Sequence, residues 1–255
     1  MAREIIDFHI HPFVDESSCL CAYTKDIGTD KRDIKAELAE AGIGRLCGSV
    51  ITKVGDGFPR ELNCNATAMK LWKNFGDSYI PGIQVNSAYI DESCREIDAA
   101  KERGVVMVGE LVPYFYGWSY SDEGFAKILE HTKGKIELYS LHTIEIEAMV
   151  KIAKDFSYIN FVFAHPGERS LIEQHIEAMK NHENIYLDLS GTGLFRYGML
   201  EYLVNKVGSE RILFGTDYPI CNPAMYTHGV EYEKISEKAK ENIFSANAKR
   251  LLNIK

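Results

Sequence analysis

The sequence lacks several patterns that would assign it to common protein classes. It contains no run of lysine and arginine, and its formal net charge is −8, so we do not expect it to bind nucleic acid. None of its six cysteines forms a Cys-x-x-Cys pair, and Cys19-x-Cys21 has no second pair at zinc-finger spacing. Reduced thiols are therefore expected rather than disulfides or a zinc finger. No Gly-x-Gly-x-x-Gly follows the first strand-like segment, which argues against a dinucleotide-binding sheet.

Long apolar runs are missing as well. No segment approaches the roughly 18 apolar residues of a membrane-spanning helix, and no basic stretch followed by an apolar one opens the chain. We therefore expect neither a membrane span nor a secretion signal, and we predict a cytoplasmic protein. No linker or low-complexity segment divides the 255 residues, of which 45% are hydrophobic. The composition predicts one domain over residues 1–255 with a full core.

The sequence alternates between strand-like and helix-like segments. Eight apolar segments have the composition of strands: 3–10, 45–52, 79–85, 105–112, 135–142, 159–165, 184–191 and 211–217. Helical spacing of apolar residues follows each of them, over 31–42, 61–76, 91–104 (with Asp91 as N-cap), 121–134, 144–156, 168–182, 194–208, and 231–241 with 243–253. Helical crossovers imply parallel strands. Eight such units in this length predict an α/β fold, a (β/α)8 TIM barrel, with an open doubly wound sheet as the competitor.

Imidazole and carboxylate side chains stand at the predicted strand ends, where the active site of such a barrel lies. They are His9, His11, Glu110, His142, His165 and Asp217. Side chains alternate along a strand, so His9 and His11 point to the same face and can converge on one ion. Mixed imidazole and carboxylate donors predict one or two divalent ions. Zinc is the expected ion, with manganese, iron and nickel as alternatives.

Residues just beyond the strands are candidates for substrate contact: Tyr114, Trp118, Arg169, Arg196 and Tyr218. The aromatic segment 112–120 would form a wall of an apolar pocket or a surface loop packed on its own helix. Either arginine would bind a substrate carboxylate or pair with a neighbouring acid. Asp188 would support a ligand or be an ordinary hydrogen-bonded strand residue, and His228 would contact substrate or solvent.

Several motifs, in this order, resemble the amidohydrolase superfamily, and specifically its amidohydrolase-related, decarboxylase-like branch ("amidohydrolase 2"). They are DFHIHP, GEL, SLHT, FAHPG, YLDLSG and ILFGTDYP, and the end of the chain, 242–254, is similar to that branch too. The resemblance implies that His9 and His11 bind the more buried ion. It implies that Asp217 is both a ligand and the proton acceptor. His142 and His165 would hold a second ion, or would serve as one ligand and one water-orienting residue. Glu110 matches the position of a bridging carboxylated lysine or glutamate.

The function expected from this resemblance is hydrolysis of an amide, lactone or ester in a small molecule, with Asp217 and His165 as catalytic residues. Glu110 favours it, because decarboxylases of the branch generally lack an acidic bridging ligand. The alternative is a metal-dependent, non-oxidative decarboxylase on the same scaffold. A phosphoesterase would need a further Asp-x-His near the end, and a non-catalytic metal-binding barrel would not need all six residues. We expect a small-molecule substrate, and a homodimer is left open.

Overall fold

The computed structural model describes residues 3–28 and 32–254. Its strands follow one another along the chain as β1 (Ile6–Ile10), β2 (Arg45–Ser49), β3 (Tyr79–Ile83), β4 (Met107–Leu111), β5 (Leu138–His142), β6 (Asn160–Ala164), β7 (Ile185–Asp188) and β8 (Ile212–Leu213). Helices separate and follow them: α1 (Ile34–Glu40), α2 (Phe58–Phe75), α3 (Ile90–Arg103), α4 (Pro113–Tyr116), α5 (Glu123–His131), α6 (Ile146–Asp155), α7 (Arg169–Asn181), α8 (Met199–Val207), α9 (Pro223–Tyr232), α10 (Glu237–Glu241) and α11 (Asn247–Leu252).

The eight strands form one parallel sheet in sequence order, from β1 to β8. Parallel neighbours need a crossover, and the helices between the strands supply it. The ends of the sheet meet through backbone bonds: Asp217 N donates to His9 O at 2.8 Å and His11 N donates to Tyr218 O at 2.7 Å. The predicted TIM barrel is confirmed.

The closing seam carries a buried carboxylate. Asp7 accepts hydrogen bonds from Thr216 N (3.0 Å), Thr216 Oγ1 (2.5 Å) and His9 N (3.1 Å). These bonds tie the first strand to the segment before Asp217, which itself has a left-handed backbone with φ 63°. The seam therefore fixes His9 and Asp217 relative to one another.

Apolar side chains fill the barrel interior below the polar strand ends. They include Ile6, Phe8, Cys47, Met107, Leu138, Val162 and Leu213, and Ala248 and Leu252 of the last helix pack against them. A filled interior leaves the carboxyl ends of the strands as the place for a site, as in other barrels of this kind.

Element boundaries differ from the sequence expectations in a few places. Helix α3 begins at Ile90 with Tyr89 as N-cap, so the prediction of Asp91 as N-cap is wrong, and this carboxylate lies instead in the first turn, where the helix dipole favours it. The helix predicted from residue 194 begins only at Met199, because Gly198 before it is left-handed. Strand β8 is shorter than the predicted 211–217.

Two helices were not predicted, α4 and α9, and each begins at a proline. In the C-terminal part, a π-helical turn over Asn242–Ala246 joins α10 to α11, where two separate helices were expected. Lys31, the first residue of the predicted helix 31–42, lies outside the described residues. Across residues 3–28 and 32–254, every helix is too short or too polar to cross a lipid bilayer.

Candidate metal centre

The six predicted ligands come together at the carboxyl ends of the strands, and their four imidazoles form two pairs. His9 Nε2 lies 3.2 Å from His11 Nε2, and His165 Nε2 lies 3.1 Å from His142 Nδ1. Two nitrogens bound to one zinc-sized ion at about 2.0–2.1 Å are roughly 3 Å apart. Each pair therefore has the spacing of two ligands that share an ion.

Glu110 lies between the two pairs. Its Oε2 is 3.2 Å from His11 Nε2 and 3.4 Å from His9 Nε2. Its Oε1 is 3.0 Å from His142 Nδ1 and 3.4 Å from His165 Nε2. One buried carboxylate thus presents one oxygen to each pair.

Asp217 completes the first pair from the segment after β8, which adjoins β1 across the closing seam. Its Oδ1 lies 3.4 Å from His11 Nε2 and 3.7 Å from His9 Nε2. This oxygen is buried, yet it has no hydrogen-bond partner within the described part of the chain. A buried carboxylate oxygen without a donor is costly unless a cation is present.

The outer nitrogens of the first pair show where the imidazole protons are. His9 Nδ1 lies 2.9 Å from Asp188 Oδ2, and His11 Nδ1 lies 3.0 Å from Ser49 O. An ionised carboxylate and a carbonyl only accept, so both Nδ1 atoms carry the proton and both rings, when neutral, present a bare Nε2 to the centre. Two bare nitrogens and an unpaired carboxylate oxygen face one point, and this donor set fits a divalent cation.

The pKa values of the buried groups also indicate a site for a cation. Burial alone would lower the pKa of His9 and His11, but the facing carboxylates outweigh it, raising the pKa of His11 to about 9 and that of His9 well above its usual value. Burial alone would raise the pKa of Glu110, yet the imidazoles hold it well below its usual value. Without an ion, the cluster takes up protons to balance its carboxylates.

A divalent ion should therefore displace protons when it binds. Because the pKa of His11 is raised to about 9 in the ion-free protein, its Nε2 is protonated at neutral pH, and metal affinity should fall about tenfold per pH unit for each displaced proton as the pH drops below 9. Calorimetric titration with Mn²⁺ at pH 7.5, in two buffers of different ionisation enthalpy, should show release of about one proton or more. An affinity that is flat between pH 7 and 9 would contradict this.

Access to the centre is from the side of β5 and β6. His9, His11 and Glu110 are almost fully buried, whereas the side chains of His142 and His165 are 24% and 12% exposed. A substrate would therefore meet this second pair first.

The five candidate substrate contacts lie in different surroundings. The half-exposed Tyr114 ring lies 5.3 Å from the His142 ring, edge to face, at the open side of the centre. Trp118 is buried and packs against Tyr120 at 5.7 Å. The hydroxyl of Tyr218 donates to Glu37 at 2.8 Å.

The two arginines are paired with acids at the surface. Arg169 NH2 lies 3.1 Å from Glu173 Oε1, and Arg196 NH2 lies 2.7 Å from Glu168 Oε1. Both arginine side chains are more than half exposed. Either would have to leave its partner before binding a substrate carboxylate.

Sequence reasoning missed several groups behind the ligands. Ser190 and the buried His175 were not singled out, yet Ser190 Oγ lies 3.0 Å from His165 Nδ1, and His175 Nε2 donates to His165 O at 3.2 Å. From the sequence, Asp188 was expected either to support a ligand or to be an ordinary hydrogen-bonded strand residue. In the structure it contacts His9 directly. His228 is exposed on α9. The alternation in Asp188-Leu-Ser190, which puts both polar side chains on one strand face, was the available signal.

Solved structures with a similar fold cover nearly the whole chain. An uncharacterised TIM-barrel protein from Bordetella bronchiseptica is 21% identical, with a TM-score of 0.78 over 98% of both chains. A 2,6-dihydroxybenzoate decarboxylase in complex with 2,6-dihydroxybenzoate is 16% identical, with a TM-score of 0.75 over 99% of both. A dihydroxybenzoic acid decarboxylase from Polaromonas sp. JS666, with bound manganese and 2-nitroresorcinol, is 16% identical, with a TM-score of 0.69 over 98% of this chain and 97% of the other.

Sequence comparison assigns the family. No curated protein sequence matches the chain significantly. The family model described as amidohydrolase, however, matches residues 6–254, nearly the full length. The motifs that carried the resemblance and the barrel that brings them together agree with this match: the chain belongs to the amidohydrolase family of enzymes.

Proposed function

We propose that the protein is a metal-dependent, non-oxidative decarboxylase of a small hydroxylated aromatic acid. The observation that carries the proposal is the cluster of four imidazoles and two carboxylates whose open side, at His142 and His165, adjoins the Tyr114 ring. Support comes from similarly folded structures, named as decarboxylases of dihydroxybenzoate and 5-carboxyvanillate. The hydrolase expected from the family resemblance and from Glu110 has no such support among these decarboxylase structures.

For decarboxylation, the chain has to supply mainly charged groups that bind the substrate and a group that delivers a proton. The substrate carboxylate leaves as CO₂, and a proton takes its place on the ring carbon. A bound divalent ion would orient the substrate oxygens and withdraw electron density from them. Asp217 is the proposed carrier of the proton, because it faces the centre. His165 also faces the centre and is partly exposed, and it would carry a proton only in a centre with one ion, where its Nε2 binds no metal.

The half-exposed Tyr114 is proposed to flank the ring of the substrate. Aromatic rings prefer offset or edge-to-face partners, and Tyr114 already makes such a contact with His142. A planar aromatic acid that reaches His142 and His165 would pass beside this side chain.

Hydrolysis is the second candidate, and Glu110 is the observation that favours it. Its two oxygens face the two imidazole pairs separately, which is the arrangement of a carboxylate shared by two ions. A centre of that kind can activate water and polarise a carbonyl at the same time. In that reaction Asp217 would take a proton from water and return it to the leaving group.

One experiment separates the two. Protein loaded with Mn²⁺ or Zn²⁺ is incubated with carboxyl-¹³C hydroxybenzoates, including 2,6-dihydroxybenzoate and 5-carboxyvanillate, and in parallel with aryl esters and lactones. We expect ¹³CO₂ release, deuterium on the ring carbon when the solvent is D₂O, and loss of both after chelation. Turnover of esters or lactones without any release of ¹³CO₂ from the acids would refute the proposal in favour of the hydrolase.

The identity of the ion is part of the proposal. Zinc is proposed from the imidazole-rich donor set, and manganese is the ion named with a structure of similar fold. Elemental analysis of protein purified without chelator distinguishes them. A small-molecule substrate and a cytoplasmic location are also proposed.

A further inference from the structure

One buried carboxylate stands behind both imidazole pairs. Asp188 ends β7 and is fully buried. Its Oδ2 contacts His9 Nδ1, while its Oδ1 accepts hydrogen bonds from Ser190 N at 2.9 Å and from Ser190 Oγ. The same Ser190 Oγ lies 3.0 Å from His165 Nδ1. Asp188 thus reaches His9 directly and His165 through one hydroxyl.

The single hydroxyl proton decides the direction of this chain of bonds. Ser190 Oγ donates its proton to Asp188, so it can only accept from His165 Nδ1. If Ser190 Oγ instead donated its proton to His165 Nδ1, Ser190 Oγ and Asp188 Oδ1 would be in close contact without a proton between them. His165 therefore carries its proton on Nδ1 and presents a bare Nε2 to the centre.

We propose that Asp188 and Ser190 are positioning residues that together set the tautomers of His9 and His165, one ring from each imidazole pair. The inference rests on the metal-dependent function proposed above, because bare nitrogens matter only if they bind an ion. Removing Ser190 Oγ should affect the second pair selectively, whereas Asp188→Asn should affect the first pair.

Close packing behind the rings supports a positioning role. A Cβ on Gly191 would lie 2.4 Å from His165 Nδ1, and one on Gly215 would lie 2.8 Å from His9 Cβ. The chain has glycine at both points, so main chain lies directly behind the His165 ring and against the Cβ of His9, and the His165 ring has little room to turn. With ring orientation set by packing, the bonds to Asp188 and Ser190 select the tautomer.

The first test needs no metal. In metal-free protein labelled with ¹⁵N at histidine, long-range ¹H–¹⁵N correlation at a pH where the rings are neutral reports which nitrogen carries the proton. We expect Nδ1–H for His9 and His165 in the wild type. For Ser190→Ala we expect a shift of His165, but not of His9, toward Nε2–H, which then faces Glu110. A wild-type His165 protonated on Nε2 would overturn the inference, whether or not any enzymatic activity is found.

The second test measures metal binding. Ser190→Ala should weaken Mn²⁺ binding at the His142–His165 pair about 10–100-fold and change binding at the His9–His11 pair by less than about threefold. Ser93→Ala is the matched control, since this fully buried serine, which bonds to Asn86 O, lies in α3. The inference would be overturned if Ser190→Ala weakened Mn²⁺ binding equally at both imidazole pairs, or at neither. If the protein binds a single ion, an unchanged affinity for that ion would overturn it too.

Asp188→Asn provides the complementary variant. An asparagine amide keeps its oxygen on the Ser190 side, where it accepts from both Ser190 N and Ser190 Oγ. Its NH₂ then faces His9 Nδ1, which must accept instead of donate. We expect His9 to switch to the Nε2–H tautomer, His165 to keep its proton on Nδ1, and Mn²⁺ affinity to fall at the His9–His11 pair. Unchanged tautomers in this variant would show that packing alone sets them.

Discussion

An Asp217→Asn variant is expected to lose about a thousandfold or more in turnover while it keeps its fold, because proton transfer by a positioned side chain contributes roughly 10²–10⁴-fold. Asp217 Oδ1 is a buried oxygen that lacks a hydrogen-bond partner among residues 3–28 and 32–254, and it faces the first imidazole pair. An amide has the same shape but cannot carry the proton. The measurement is kcat of the metal-loaded variant for the acid that the wild type decarboxylates.

The control for this variant is Asp98→Asn, which removes a half-exposed carboxylate of α3 that pairs with Lys135. It should leave kcat unchanged. Metal content of both variants is measured alongside, because loss of the ion from Asp217→Asn would point to a ligand role instead of a proton role. Turnover within tenfold of the wild type, with the metal retained, would contradict the assignment of Asp217 as a proton carrier.

The arrangement of strands and ligands could be predicted because it follows from periodicity. Strands are short and apolar, each is followed by helical spacing, and parallel strands send their carboxyl ends to the same edge. His9 and His11 are two positions apart, which puts both side chains on the same strand face. The ends of β4, β5 and β6 then supply Glu110, His142 and His165, although 155 residues separate the first histidine from the last.

The partners of long side chains could not be predicted in the same way. Arg169 and Arg196 follow their strands as expected, but each can reach several acids, and the backbone path decides which one it meets. In the structure they pair with Glu173 and Glu168. Trp118 is similar: composition placed it in an aromatic segment, and only packing shows that it is buried.

The groups behind the ligands could be predicted from the sequence only in part. Asp188 and Ser190 share a strand face, so their common orientation follows from the sequence. That this face meets His9 and His165 depends on the stagger of β7 against β6 and β8. The register pairs Leu187 with Phe163 on one side and with Ile212 on the other. No local pattern specifies such a register in a barrel whose strands are apolar on both faces.

Glu110→Gln should abolish tight Mn²⁺ binding at one of the two imidazole pairs, with a loss of affinity there of about a hundredfold, the upper end of what altered metal environments cost. The carboxylate offers one oxygen to each imidazole pair, whereas an amide offers one oxygen and one NH₂, whose protons bond to the bare nitrogens of one pair and exclude an ion there. Equilibrium dialysis gives the stoichiometry, with Glu123→Gln as the control because Glu123 pairs with Lys127 at the surface of α5. Two tightly bound ions in the variant would show that Glu110 is not shared between the two imidazole pairs. Release of ¹³CO₂ that persists with one bound ion would mean that His9, His11 and Asp217 suffice for decarboxylation.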